Sequence, residues 1–518
     1  MVHPWKIVSV LVSIPVLVAC STAIPETTSP ETQIAATQPT QTQPAASATP
    51  APTLDPDLPR FEPGDCPVQS PRGYDVTCGM LLVPESRTNP TWRVVRLPIM
   101  ILHSFSENPL PDPVVHLVGG PGGSVLDSVA YYLERGGHEI LKKRDYILFN
   151  QRGTRYALPE LDCPASHQME WAVTEQNIPE AEGLQHVLNA LVSCHDQWAA
   201  EGIDLGAYDS VENAADVNDL RITLGYDKVN LYGVSYGTRL ALTVMRDHPE
   251  GLRSVILDSV YPPQVDLYSS VGVNAGRSLS LLFERCAADP VCNTAYPDLE
   301  RVFYETADLL DADPPVMTLS SEDGQPYQYI VTGERFINAI FAALYRSDII
   351  PRLPDAIYQV YEGRYYVLQP YIRMATGSLG ISNGMYYAVQ CSEEIPFDTY
   401  ENALAAQADI PQRLRDVFAV QAYYDLCAHW QAGPLDPNEE AAITSTIPTL
   451  VVAGEMDPIT PPAWAELAAK TLPASYLFTF PDQAHGVIRA DDCARSIFYE
   501  FLDNPSQRPE AACMVEGS

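Results

Sequence analysis

Residues Gly233-Val234-Ser235-Tyr236-Gly237 form a G-x-S-x-G pattern. A serine hydroxyl attacks well only when a neighbouring base takes its proton. The pattern suits that chemistry, because its glycines permit a turn too tight for a side chain two residues before or after the serine. Val229 and Leu231 lie in a short apolar stretch that fits a buried strand. Tyr236 to His248, with Leu240 and Val244 apolar, fits a helix stopped by Pro249. A strand, this turn and a helix would lift Ser235 off a sheet edge. They would also aim the Tyr236 N–H and the helix N-terminus at an oxyanion formed there. Three fixed residues recur by chance, so the pattern gains weight only from a base, an acid and a second oxyanion donor elsewhere.

His485 is the candidate base, in Gln483-Ala484-His485-Gly486 just after an apolar strand, Ser475 to Phe480. Asp457 is the candidate acid, just after the strand Thr449 to Gly454. A carboxylate there would fix the imidazole tautomer and stabilise the imidazolium. Glu455, Asp482, Asp491 and Asp492 are rival acids, each placed less well against a strand end. His116 is the rival histidine, but inside a strand it reads as a core residue. That strand, Val114 to Val118, runs into Gly119-Gly120-Pro121-Gly122-Gly123-Ser124. The loop has neither the Walker lysine nor G-x-G-x-x-G spacing, so phosphate binding is disfavoured. It suits an oxyanion loop, with the Gly120 N–H beside that of Tyr236 as donors. The chain order Ser235, Asp457, His485 is that of α/β-hydrolases. No C-x-x-C pair or histidine cluster points to a metal site, and no cofactor is implied.

Positioning these residues requires a mainly parallel sheet with helices on both faces. Strands are expected at Asp75–Val83 and Val94–Leu102, an antiparallel pair, and at Tyr146–Phe149 and Ser254–Leu257. Ser210 is expected to cap a helix carrying Val217, Leu220 and Leu224 and ended by Gly225. From about Pro262 the rhythm turns helical. The reading is a core at 60–262, an inserted helical lid at 263–445 and a core segment at 446–518. Before these, Lys6 and the apolar run Ile7 to Ala19 fit a secretory signal, and Leu17-Val18-Ala19-Cys20 resembles a bacterial lipobox. Residues 1–20 are thus expected to be a lipoprotein-type leader with Cys20 lipidated. Residues 21–59, rich in Pro, Thr and Ala, are expected to be a disordered spacer. An exported lipoprotein of the cell envelope follows, bound to a membrane only through its lipid. The ten cysteines after Cys20 then read as disulfides. Nearest neighbours suggest 66–78, 163–194, 286–292, 391–427 and 493–513, although sequence does not fix connectivity. The net charge of −35 over 518 residues argues against nucleic acid as a partner.

Four stretches together resemble the proline iminopeptidase and tripeptidyl aminopeptidase family of serine exopeptidases. They are Gly119–Ser124, Asn150-Gln151-Arg152-Gly153-Thr154, Gly233–Gly237 and Asp457-Pro458-Ile459-Thr460-Pro461. The segment from Thr449 to Cys513 resembles the family's C-terminal part. Two positions depart from the pattern: Asn150 stands for a usual aspartate, and Arg155 for a glycine. The resemblance implies an α/β-hydrolase that forms an acyl-enzyme on peptides with a free N-terminus. It also implies a carboxylate near the cleft for the substrate ammonium, and Glu393 or Glu394 is expected to supply it. The alternatives are an ester hydrolase using the same triad, or a non-catalytic binding lipoprotein on a hydrolase scaffold.

Overall fold

The structure is a computed structural model and describes residues 55–89, 93–176, 178, 180–320, 326–376, 380–430 and 436–515. The leader, Cys20 and most of the expected spacer lie outside the described residues. Among those described, no helix is long and apolar enough to cross a membrane.

Chain order begins with β1 (Arg60–Pro63), β2 (Val76–Pro84), β3 (Val94–Leu102), β4 (Val114–Leu117) and β5 (Tyr146–Phe149). Helices α1 (Pro164–Glu175), α2 (Glu180–Ala200) and α3 (Ser210–Thr223) follow. Next come β6 (Val229–Ser235), α4 (Tyr236–Asp247) and β7 (Leu252–Val260). The sheet resumes with β10 (Thr449–Gly454), α9 (Pro462–Ala469), β11 (Ser475–Phe480) and α10 (Asp492–Asp503). Between them lie α5 (Leu267–Ala288), a hairpin of β8 (Val316–Ser320) and β9 (Pro326–Ile330), α6 (Gly333–Leu344), α7 (Asn383–Glu393) and α8 (Gln421–His429).

The nine-stranded sheet runs β1-β2-β3-β5-β4-β6-β7-β10-β11. From β5 to β11 neighbours are parallel, and β1 to β3 extend one edge antiparallel. Alternation along each strand feeds two cores. Val115, Leu117, Leu231, Val255, Leu257 and Val451 face one, covered by α3, α4 and α9. Val114, Leu148, Tyr232, Ile256, Leu450 and Val452 face the other, covered by α10. Both faces are therefore dry, which explains why the central strands are apolar almost throughout.

The stretch expected to be one lid divides by packing. Leu279, Phe303, Phe336, Ile340, Ile357 and their neighbours form a core of their own, and that core takes in Met456 and Ala484. In contrast, Met385, Val389 and Cys391 of α7 and Leu426 of α8 belong to a core of the sheet. The five disulfides join the nearest-neighbour pairs, 66–78, 163–194, 286–292, 391–427 and 493–513.

One cap differs from expectation. Asp209, not Ser210, is the N-cap of α3, its carboxylate accepting from the Glu212 N–H at 2.7 Å. Ser210 is engaged elsewhere: its N–H and hydroxyl both donate to Glu393. Glu393 and Glu394 also receive the guanidinium of Arg239 from α4, and all three side chains are buried. Glu394 further accepts from the Leu267 N–H at the start of α5. This cluster ties the helix after Ser235 to α5 and α7. Removing one partner of such a buried pair typically costs about 3–5 kcal/mol, because the other charge is left without compensation.

Glu439 lies buried at the edge of this cluster and accepts from Arg246 at 3.2 Å. Burial, and then the charge of Glu393, push its carboxyl up to about 7. An ordinary glutamate titrates near 4.3, so the folded state holds this proton more tightly than the unfolded chain does. The associated stability is present below ~4.3 and is lost as pH rises through about 7. Glu439→Gln has no such proton to lose. Its urea midpoint relative to wild type should therefore be higher at pH 8 than at pH 5; an equal difference at both pH values would contradict this.

Candidate active site

Every residue of β6 is buried except its last, the half-buried Ser235. Ser235 has φ 59° and ψ −129°, a region that L-residues rarely occupy, and α4 starts at the next residue. The two glycines of the pattern have no room for a side chain. A Cβ on Gly233 would lie 2.3 Å from the Gly237 carbonyl oxygen, and one on Gly237 would lie 1.9 Å from that of Leu117. The turn also carries the glycine-rich loop across the serine, for a Cβ on Gly119 would stand 2.7 Å from that of Ser235. Gly120, next along, is exposed and has φ 125°. The Tyr236 N–H opens α4, where backbone donors lack an intrahelical acceptor.

Asp457 and His485 come together from loops after neighbouring parallel strands, β10 and β11. His485 Nδ1 stands 2.9 Å from Asp457 Oδ2, with both side chains buried. The Thr460 hydroxyl donates to the same oxygen at 2.7 Å, and the Ile459 and Thr460 N–H groups donate to Oδ1. Burial by itself would raise the Asp457 pKa, but the His485 imidazole and these N–H groups hold it below the usual carboxylate range. A carboxylate so held can orient an imidazole and stabilise its protonated form.

Several groups that sequence reasoning did not single out hold the His485 loop. Asp258, near the end of β7, accepts from the Val487 and Ile488 N–H groups at 2.8 and 3.1 Å. The Ser259 hydroxyl accepts from the Gly486 N–H at 2.8 Å. A buried acid closing an apolar strand was the available signal for Asp258. The helical stretch braces the acid loop: Arg277 donates to the Glu455 and Asp457 carbonyls, Asn274 to that of Ile459 and Ser278 to that of Met456. Tyr345 meets the His485 ring edge-on at 5.1 Å, and the Ser347 hydroxyl accepts from the Ala484 N–H.

The rival residues lie elsewhere. Glu455 and Asp482 pair with Arg285, Asp491 caps α10 and Asp492 pairs with Arg495. His116 is wholly buried, its Nδ1 2.5 Å from the Tyr146 hydroxyl, and burial pushes it down to about 3. The expectation that Glu393 or Glu394 meets a substrate ammonium does not fit their positions. Both carboxylates are enclosed and bonded to Arg239, which leaves no face for a ligand.

In the Asn150-Gln151-Arg152 stretch, Asn150 and Gln151 support the glycine-rich loop. The buried Asn150 Oδ1 accepts from the Val125 and Leu126 N–H groups at 2.9 and 3.3 Å. Its amide donates to Ser124 Oγ and to the Arg155 carbonyl at 2.9 and 2.8 Å. Gln151 donates to the Val118 carbonyl, and Arg152 to Asp216 and to the Glu85 and Ala207 carbonyls. The Ser382 N–H, just before α7, donates to the Gly122 carbonyl at 2.9 Å.

A cavity of about 950 Å³ opens between α1, α2, α6 and α8, with Glu170, Trp171, Arg335, Tyr387, Asp416 and Tyr423 among its lining. None of Ser235, Asp457 and His485 is among its lining. Helix α7 connects the two places, since Ser382 at its start touches the glycine-rich loop and Tyr387 reaches the cavity. Five residues of helix span about 7.5 Å.

Comparison with known proteins agrees with the fold. Residues 112–294 match the family described as alpha/beta hydrolase fold, and residues 415–513 match the family described as TAP-like protein. The serine protease Hip1 of Mycobacterium tuberculosis is 23% identical over 466 residues, which is 84% of this chain and 86% of that protein. The tripeptidyl aminopeptidase of Streptomyces lividans is 26% identical over 207 residues, 39% of this chain and 38% of the relative. A proline iminopeptidase of Xylella fastidiosa is 25% identical over 154 residues, 30% of this chain and 34% of its own.

The loop support can be tested at Asn150. An aspartate would keep the two N–H groups and accept from Ser124, but it has no hydrogen for the Arg155 carbonyl. A hydrogen bond of this kind contributes about 0.5–1.5 kcal/mol. Asn150→Asp should lose that much stability in denaturant unfolding, with kcat/KM falling as the loop loosens. A variant as stable and active as wild type would refute the role.

Proposed function

We propose that this chain, a serine hydrolase of the α/β-hydrolase fold that resembles the proline iminopeptidase and tripeptidyl aminopeptidase family, removes residues or short peptides from free N-termini. The observation that carries the reading is the buried Asp457–His485 pair, set on the same sheet as a serine at a strained strand–helix turn. Ser235 Oγ attacks the scissile carbonyl while His485 takes its proton. Asp457 keeps Nδ1 protonated and steadies the imidazolium. The N–H groups of Tyr236 and Gly120 receive the oxyanion; one such donor typically contributes about 3 kcal/mol to the transition state. His485 then gives its proton to the leaving amine, and water attacks the acyl-enzyme by the reverse route.

The acyl side of the substrate would run from the oxyanion loop along α7 towards the cavity. Three extended residues span at most ~10 Å, similar to the distance that α7 bridges. In this reading the cavity wall ends the acyl-side cleft, and the carboxylates on it, Glu170 and Asp416 among them, are suited to an ammonium. The helical stretch then acts as a lid whose position sets how many residues leave per cleavage. Five disulfides favour an oxidising compartment, which supports export. Lipidation at Cys20 remains part of the proposal, and mass spectrometry of the native N-terminus decides it.

Two measurements test the reading. Ser235→Ala should abolish both turnover and labelling by a fluorophosphonate, and labelling that persists at another serine would reassign the nucleophile. Free and N-blocked chromogenic peptides, with a short neutral ester beside them, test the exopeptidase claim. Glu170→Gln should lower kcat/KM on free peptides about ten- to a hundredfold, the range expected for a lost charge-assisted hydrogen bond, and leave the ester unaffected. Glu394→Gln, which weakens the Arg239 cluster, should harm both substrates alike. Equal turnover of blocked and free peptides would favour an endopeptidase, and turnover of the ester alone would favour an esterase.

A further inference from the structure

The packing of α2 against α8 brings together three side chains that no local sequence pattern links. His195 Nδ1 lies 3.0 Å from Asp196 Oδ1, and His429 Nε2 lies 3.1 Å from the same oxygen. All three potential ligand atoms lie within 4.8 Å of one another. Sequence reasoning found no metal site, since His429 is more than two hundred residues from the other two.

We propose that His195, Asp196 and His429 form a binding site for a divalent transition-metal ion of the zinc type. Zinc holds imidazole nitrogen and carboxylate oxygen at about 2.0–2.2 Å, so neighbouring ligands of a tetrahedral ion stand about 3.3 Å apart. The observed nitrogen–oxygen separations are already close to that edge. Two imidazoles and one carboxylate suit zinc, cobalt, nickel or copper; calcium and magnesium prefer sites built from oxygen. Water would complete the coordination on the open side, where Asp196 and His429 are exposed.

The backbone that carries the two histidines is held before any ion arrives. Cys194, adjacent to His195, is bonded to Cys163, and Cys427, two residues before His429, is bonded to Cys391. The buried Trp430 packs its ring 5.0 Å from that of His195 and fixes the imidazole from behind. His429 also ends α8, where the helix dipole favours a cation. Preorganisation of this kind lowers the entropic cost of binding. An ion here would join α2 and α8, which supply Leu188 and Tyr423 to the walls of the cavity. It would therefore stiffen the cavity without entering it.

The test is calorimetric titration of zinc chloride into the full chain after treatment with a chelator, with thermal unfolding alongside. The expected result is one ion per chain and a higher Tm, with no response to magnesium or calcium. His195→Ala and His429→Ala should each weaken binding by at least ~10-fold, the lower end of what loss of an outer-shell partner costs. His186→Ala, also on α2, should bind as wild type does. The absence of zinc binding, an equal response to magnesium, or binding that persists in both His195→Ala and His429→Ala would each overturn the site. The last result would place the ion elsewhere, for example at His485.

Discussion

The crowding around Ser235 is the constraint on which the rest of the structure depends. A residue at φ 59° and ψ −129° is costly for any side chain, and it persists only where its surroundings leave no alternative. Here they leave none. The backbone of α4 approaches β4 so closely that a methyl group on Gly237 would sit 1.9 Å from the Leu117 oxygen. The same approach draws the chain after β4 over the serine, with Gly119 in contact. One steric condition therefore fixes three things at once: where the hydroxyl points, which N–H opens the helix, and which loop lies across it.

The loops that carry Asp457 and His485 are themselves irregular backbone, so they need partners for their carbonyl and N–H groups. Those partners come from far along the chain. The acid loop hands its carbonyls to Asn274, Arg277 and Ser278 of α5, while the His485 loop hands its N–H groups to Asp258 and Ser259 of β7. The helical stretch is thus more than a cover. Its core takes in Met456 and Ala484, the residues just before Asp457 and His485. A shift of those helices would be felt at the imidazole, whereas a shift of a surface loop would not.

What was legible in the sequence follows from the range of each constraint. The turn at Ser235, the strands on either side and the acid and base after β10 and β11 are written in short patterns, because sterics and alternation act locally. The lone glutamates and histidines are different. Glu393-Glu394 looked like a pair awaiting a ligand, but Arg239 fills that role from α4, over a hundred and fifty residues away. Ser210 looked like a cap, but its donors serve Glu393, and Asp209 caps instead. His429 carried no signal stronger than an unexplained polar residue, and Asp258 only its place at the end of an apolar strand. In each case the missing information was a partner distant in sequence, which no local pattern encodes. Packing likewise split the expected lid, since α7 turns its Met385 and Val389 into the sheet core.

The departures at Asn150 and Arg155 follow from the same need for partners. A family pattern with aspartate at the first position treats that loop as an acceptor of N–H groups. Asn150 keeps this acceptor function towards Val125 and Leu126 and adds a donor for the Arg155 carbonyl. Residue 155 is then held by its backbone, so its side chain is free to differ, and the arginine lies in the open, near Asp127. The next two residues continue the logic inward. Gln151 reaches the Val118 carbonyl, and Arg152 spreads its fork over Asp216 and two carbonyls. A lysine's three N–H groups radiate from one nitrogen, so it cannot reproduce the bidentate contact with Asp216 while reaching both carbonyls. In a chain of net charge −35, this cation is enclosed with no exposed surface, so it joins α3 to the end of β2 and does not serve solubility.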